Sequence, residues 1–230
     1  DLQDEYLEAM RAQSVQGYIL VSSIASAGLA RFLGRGEPAV LVGRRQKHTG
    51  KPVPFVGIDN RQAGADAADF LLDAGIARPA LLHAALTSSA IEDRVAGFFN
   101  RLEARGLVRD QVPSATAEGH RHLEIGYHAM QALAAEHGWP QGLLCVSDQM
   151  AYGAAALARE QGIGVPQDCL IVGVDDNPIN PWLAPWLSSV HIPYEEYGPA
   201  IVAQLQALWG GEKPVDRLLP HRLVDRRHLA

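Results

Sequence analysis

Short apolar runs alternate with amphipathic stretches along the whole chain, and the alternation predicts the elements. Tyr18 to Val21, Ala39 to Val42, Phe55 to Ile58, Ala80 to Leu82, Leu143 to Val146, Leu170 to Val174 and Ser189 to Ile192 are runs of the length of strands, and Leu170 to Val174 is partly β-branched. Between them lie helical patterns. Leu2, Tyr6, Leu7 and Met10 recur at near-helical spacing, and Leu29, Phe32 and Leu33 mark a short helix. Asn60 is placed to cap a helix running to Asp73, with Gly75 just past its end. Its Gly64, Ala65, Ala67 and Ala68 suit close packing against a sheet. Further helices are expected over Ile91 to Arg105, Leu123 to His137, Met150 to Glu160 and Tyr194 to Trp209. Val112 to Gly119 reads as a loop or irregular edge strand, and Leu218, Leu219, Leu223 and Val224 as a terminal strand pair. Asn177 to Trp186, with three Pro and two Trp, is not the composition of a regular helix.

The clearest unit is Leu143 to Asp176: strand, helix and strand in about 30 residues, a βαβ unit of a parallel sheet. The order repeats about five times and argues an α/β protein, not a sandwich or a bundle. In such sheets ligands bind beyond the C-terminal ends of the strands, where Ser147, Asp148, Asp175 and Asp176 fall. Asp59 ends an earlier strand, and Arg94 lies in the first or second turn of a helix near the strand ends. An Arg fork donates two aligned hydrogen bonds, and a carboxylate accepts from neighbouring hydroxyls. Together they suit a polyol such as a sugar, with Trp182, Trp186 or Tyr194 covering its apolar faces. The alternative reading of the same positions is helix caps and surface ion pairs, with Trp182 and Trp186 anchoring a loop in the core.

With 230 residues, 47 % of them apolar, the chain can build one large domain or two small lobes. A net charge of -6 gives no basic footprint for nucleic acid, and the basic stretch Arg44 to Pro54 reads as a solvated loop. Cys145 and Cys169 both fall in buried strands, which fits a reducing compartment rather than a disulfide. No apolar run approaches the roughly 18 residues of a membrane span, and no signal peptide is visible. The chain opens inside a helical pattern without an initiator Met, and we expect it to be part of a longer protein. GxSxG, GxxxxGK[ST], HExxH and CxxC are all absent, so no catalytic residue, metal ligand or cofactor is expected. His120 and His122 form an i,i+2 pair in a loop region without a clustered third metal ligand. Asp175 and Asp176 are adjacent, and neighbouring strand residues point apart, which argues against a general-acid pair.

Four stretches together resemble the effector-binding part of the LacI/GalR family of bacterial transcription regulators. They are VGIDNRQAGADAADFLLDAG from Val56, EDRVAGFFNRLEARGL from Glu92, VSDQMAYGAAALAREQGIGVPQDCLIVGVDD from Val146, and LLPHRLVDRRHL from Leu218. The resemblance implies a fold like the type I periplasmic binding proteins, two Rossmann-like lobes around a cleft. Residues 1–76 and 193–210 would form an incomplete N-terminal lobe, and residues 77–192 and 211–230 the C-terminal lobe. It implies that Arg94 contacts ligand hydroxyls or a carboxylate, that Asp175 accepts from sugar hydroxyls, that Asp59 stands at the pocket edge, and that Tyr194 stacks on the ligand. Ser147 stands where the family usually has Asn, before Asp148. The family's helix-turn-helix and hinge are not in this chain, so operator DNA would be a partner only through a further N-terminal part. A cytoplasmic sensor, a homodimer and an effector that is a sugar, sugar acid or derivative are what the resemblance implies. The alternative is a periplasmic sugar-binding protein of a transport system.

Overall fold

A computed structural model describes residues 2–13, 15–46, 52–119 and 121–228. The elements run in order as α1 (Leu2–Arg11), β1 (Tyr18–Val21), α2 (Ala27–Gly34), β2 (Ala39–Val42), β3 (Phe55–Ile58) and α3 (Asn60–Asp73). Then come β4 (Pro79–Leu82), α4 (Ser89–Ala104), a 3-10 turn Arg109–Gln111, β5 (Ser114–Ala115), α5 (His122–His137), β6 (Gly142–Cys145) and α6 (Asp148–Glu160). The chain closes with β7 (Leu170–Asp175), α7 (Asn180–Leu183), β8 (Ser188–His191), α8 (Tyr194–Trp209), β9 (Arg217–Leu219) and β10 (Arg222–Val224). It forms two compact units. One comprises Asp1–Asp59, Thr87–Ala90 and Pro193–Pro220; the other comprises Asn60–Leu86, Ile91–Ile192 and His221–Ala230.

The first unit is built on a parallel sheet of order β1-β2-β3-β9. Successive strand residues point to opposite faces, so β2 serves two cores. Leu41 joins Leu7, Tyr18, Leu20, Leu29, Phe32 and Leu33 on the side of α1 and α2. Val40 and Val42 join Val56, Ile201, Leu205 and Leu219 on the side of α8. Ser26 caps α2 by accepting the Leu29 N–H, and its own hydroxyl is 2.5 Å from an Asp4 carboxylate oxygen. Arg45, in the stretch read as a solvated basic loop, pairs with Asp216, whose other oxygen accepts the Phe55 N–H. Residues 47–51 of that stretch lie outside the described residues, as does His120.

The second unit has a six-stranded sheet of order β10-β8-β7-β6-β4-β5, parallel except for β10. Two helix pairs cross here backbone to backbone. A Cβ on Gly64 of α3 would lie 2.1 Å from the Arg94 carbonyl oxygen of α4, and one on Gly97 would lie 1.9 Å from the Arg61 carbonyl oxygen. Gly126 of α5 and Gly153 of α6 do the same for the second pair. The small residues of α3 thus serve helix–helix packing at Gly64, where the sequence suggested contact with a sheet. Arg101 of α4 and Arg105 just after it reinforce the α3–α4 crossing with ion pairs to Asp69 and Asp73.

Several expectations are corrected. β9 and β10 do not pair with each other: β9 lies parallel to β3 in the first unit and β10 antiparallel to β8 in the second. By contact the compact units divide after Pro220 and before Asn60, where the sequence reading set 210/211 and 76/77, and α3 packs on α4. Asn180–Leu183 is helical despite its composition. Pro181 sits in its first turn, where a helix uses no intrahelical N–H, and the helix ends after four residues.

Candidate functional site

β4, β6 and β7 run parallel and end on the same side of the second unit's sheet. Arg94 reaches this edge from the second turn of α4. Its side chain is nearly buried, its Nε donates to Asn60 Oδ1 at 2.8 Å, and its Nη1 donates to the Val146 carbonyl at 2.8 Å. The guanidinium is thereby fixed by the first residue of α3 and the end of β6, which holds a planar donor in one orientation. Ser147 follows directly. It is buried, caps α6 by accepting the Met150 N–H at 3.4 Å, and lies 2.8 Å from His122 Nδ1. Asp175 closes β7 at φ 120 and Asp176 follows at φ 51, two non-glycine residues in the left-handed half of backbone space. Such conformations cost of order 1–3 kcal/mol each and concentrate at functional sites. Asp176 is held by Arg226 Nη2 at 2.6 Å and lies 3.0 Å from His191 Nδ1, so its oxygens are engaged away from Asp175.

Asp148 departs from the expectation of a ligand contact. Only 1 % of it is exposed, and both carboxylate oxygens are occupied. One accepts from the Ser189 hydroxyl at 2.6 Å; the other accepts from the Asn177 N–H at 2.7 Å and Asn180 Nδ2 at 2.8 Å. Burial raises its pKa most, the three donors lower it and the charge of Asp175 raises it, which together leave it at about 6. The Tyr152 hydroxyl donates to Asn180 Oδ1 at 2.6 Å and extends this network. Burial first, then the carboxylates of Asp148 and Asp175, lift its phenol to about 12.

Trp182 is 81 % exposed on α7. Its neighbours Ile179, Leu183 and Trp186 border a groove of about 680 Å³ with Tyr152, Ala155 and Ala156. None of Trp182, Arg94, Ser147 and Asp175 lines that groove. Asp59 and Tyr194 belong to the first unit. Asp59 is exposed after β3, and Tyr194 is a half-exposed first residue of α8 with its ring 5.6 Å from that of Tyr197. His122 opens α5 and is not in a loop. Asn60 was read only as a cap, yet it orients Arg94. Among the described residues no group of three or more His, Cys, Asp or Glu could hold a metal ion. No helix among them is long and apolar enough to cross a membrane.

A profile of the periplasmic binding protein-like domain matches residues 68–227. The chain belongs to that family. As a periplasmic binding protein-like domain it is similar to catabolite control protein A of Priestia megaterium, 29 % identical over 226 residues that cover 96 % of this chain and 67 % of that protein. Its fold matches the transcriptional regulator CelR–cellobiose complex with a TM-score of 0.86 at 27 % identity, over 98 % of this chain and 70 % of the other. A regulatory protein of the LacI family from Chloroflexus aggregans matches with a TM-score of 0.80 at 28 % identity, over 97 % and 80 %. The resemblance to LacI-family regulators and the type I-like fold are both borne out by these matches. Among curated relatives the chain spans from 67 % of the length down to 40 %.

Proposed function

We propose that this domain is the ligand sensor of a cytoplasmic, DNA-binding transcription regulator that acts as a homodimer and is not an enzyme. Its effector is a small sugar, sugar acid or sugar derivative, held at the strand ends of the second unit by Arg94, Ser147 and Asp175. The observation that carries this reading is the fixed Arg94. Asn60 and Val146 hold its guanidinium at the edge where parallel sheets bind ligands, in the same unit as the carboxylate that ends β7. A rigid donor fork and a carboxylate acceptor match the alternating donors and acceptors of a polyhydroxylated molecule. The relatives are regulators, and one of them is a complex with cellobiose. A transport protein would share the fold, but those relatives favour the sensor. Ligand binding would act by favouring one conformation of the regulator over another.

The complete protein should bind at least one of cellobiose, gluconate and glucose 6-phosphate in a calorimetric titration. The same ligand should change its affinity for operator DNA, and light scattering should give a dimer. A complete protein whose DNA affinity is indifferent to every ligand it binds would overturn the sensor assignment.

A further inference from the structure

The opposite end of the second unit's sheet, where β4, β5 and β6 begin, holds a separate cavity of about 360 Å³. Arg94, Ser147 and Asp175 stand at the ends of these parallel strands and take no part in it. Three prolines line it. Pro79 opens β4, Pro113 directly precedes β5, and Pro140 comes two residues before β6. Proline has no N–H, so the cavity presents ring carbons where strand starts would otherwise present backbone donors. Buried Val112 and Leu133 extend this apolar surface. Trp139 lines it as well, and its ring is fixed by a hydrogen bond from Nε1 to Gln161 Oε1 at 2.9 Å.

Recognition of a polar group is thereby left to side chains. Arg78 and His137 line the cavity, and no carboxylate among the described residues does. Arg78 is exposed, and its backbone N–H, accepted by Gln141 Oε1 at 3.1 Å, ties it to the fold. His137 ends α5, where helix carbonyls disfavour an anion, and the Glu136 carboxylate lies 3.6 Å from its Nε2. The anion-binding end of the cavity is therefore at Arg78, whose planar fork suits the two oxygens of a carboxylate. The volume is near the lower end for small-molecule pockets, which fits a body of one or two fused rings.

We propose that this cavity is a second small-molecule site, for an aromatic carboxylate whose ring lies against the prolines and Trp139 and whose carboxylate pairs with Arg78. The proposal does not depend on the sensor reading, because the two sites share no residue.

The test is a binding series on the full chain with indole-3-acetate and its neutral amide, indole-3-acetamide. In proton–nitrogen spectra the acid should shift the Trp139 Nε1–H, identified with Trp139→Phe, and leave those of Trp182, Trp186 and Trp209 in place. The acid should bind about fivefold or more tightly than the amide, and Arg78→Gln should erase that difference. Val108 lines the cavity yet is 55 % exposed, so Val108→Trp should fold, fill the cavity and abolish binding of both compounds. Melting curves of the variants should match the wild type. An acid that does not bind, that shifts another Trp and not Trp139, or that binds Arg78→Gln as tightly as the wild type would overturn the site. None of these results bears on the effector held at Arg94, so the sensor reading stands or falls separately.

Discussion

Asp148→Ala should destabilise the second unit by about 3–5 kcal/mol, the sum expected when two buried donors and one part-buried donor lose their acceptor at once. Ser189, Asn180 and the Asn177 N–H all point at this one carboxylate, and Ser189 in turn accepts the Asp176 N–H. Ala leaves the Ser189 hydroxyl and the Asn180 amide buried without this acceptor, and the loop that carries Asp176 and α7 loses its tie to α6. Asp148→Asn behaves differently, because the amide keeps an oxygen for Asn177 and Asn180 and offers Ser189 a donor instead of an acceptor. The pH dependence separates the two effects. The folded carboxyl titrates at about 6, above its ordinary 3.8, so the fold favours the protonated form. The stability linked to that shift is fully present below about 3.8, falls as pH rises through the window to about 6, and is level above it. Chemical denaturation from pH 4 to 7 should show this fall in the wild type and not in Asp148→Asn. A difference between the two proteins that does not change with pH would contradict the account of Asp148.

Gly97→Val should cost about 3 kcal/mol or more and should also weaken effector binding. A Cβ at Gly97 would sit 1.9 Å from the Arg61 carbonyl oxygen and 2.8 Å from its carbon, so backbone must move. Overpacking costs typically about 1–3 kcal/mol where side chains can adjust, and here the obstacle is a helix backbone. Separating α3 from α4 pulls Asn60 away from Arg94, since each residue sits in the early turns of its helix. Gly198 is the control. It lies in α8 with nothing within 4 Å of an added Cβ, so Gly198→Ala should be neutral or stabilising by up to about 1 kcal/mol through helix propensity. Thermal melts of both variants, with a titration of the Gly97 variant, check the pair. A Gly97→Val protein as stable as the wild type would refute the tight α3–α4 crossing.

Strands β1, β2 and β3 of the first unit were legible in the sequence because each is a short apolar run, and they have the expected ends. α8 also has the expected bounds, set by Pro193 before it and Gly210 after it. Pairing partners were less accessible. Leu218 and Leu219 look like one arm of a hairpin with Leu223 and Val224, but Leu219 pairs with Ile58, far back in the chain. No local pattern carries that information. At the site, Arg94, Ser147 and Asp175 follow from the rule that ligands sit beyond strand ends. Asp148 obeys the same rule in sequence yet turns inward, because Ser189, 41 residues later, supplies its partner. A capping carboxylate reads alike whether it faces a ligand or the core. His122 is a related case: its ring lies 2.8 Å from the hydroxyl of Ser147, 25 residues away, which no local pattern gives.

The central claim is that Arg94 anchors the effector. Its most direct test is a calorimetric titration of the complete protein and of Arg94→Ala with the ligand that the wild type binds among cellobiose, gluconate and glucose 6-phosphate. A melting curve of the variant is needed alongside, since Arg94 also holds Asn60 and Val146. Loss of a buried, charge-assisted contact predicts an affinity lower by about 2–5 kcal/mol, roughly thirtyfold or more, in a variant that still folds. A folded Arg94→Ala protein that binds the same ligand with undiminished affinity would contradict the anchor, and with it the placement of the effector at the strand ends of the second unit.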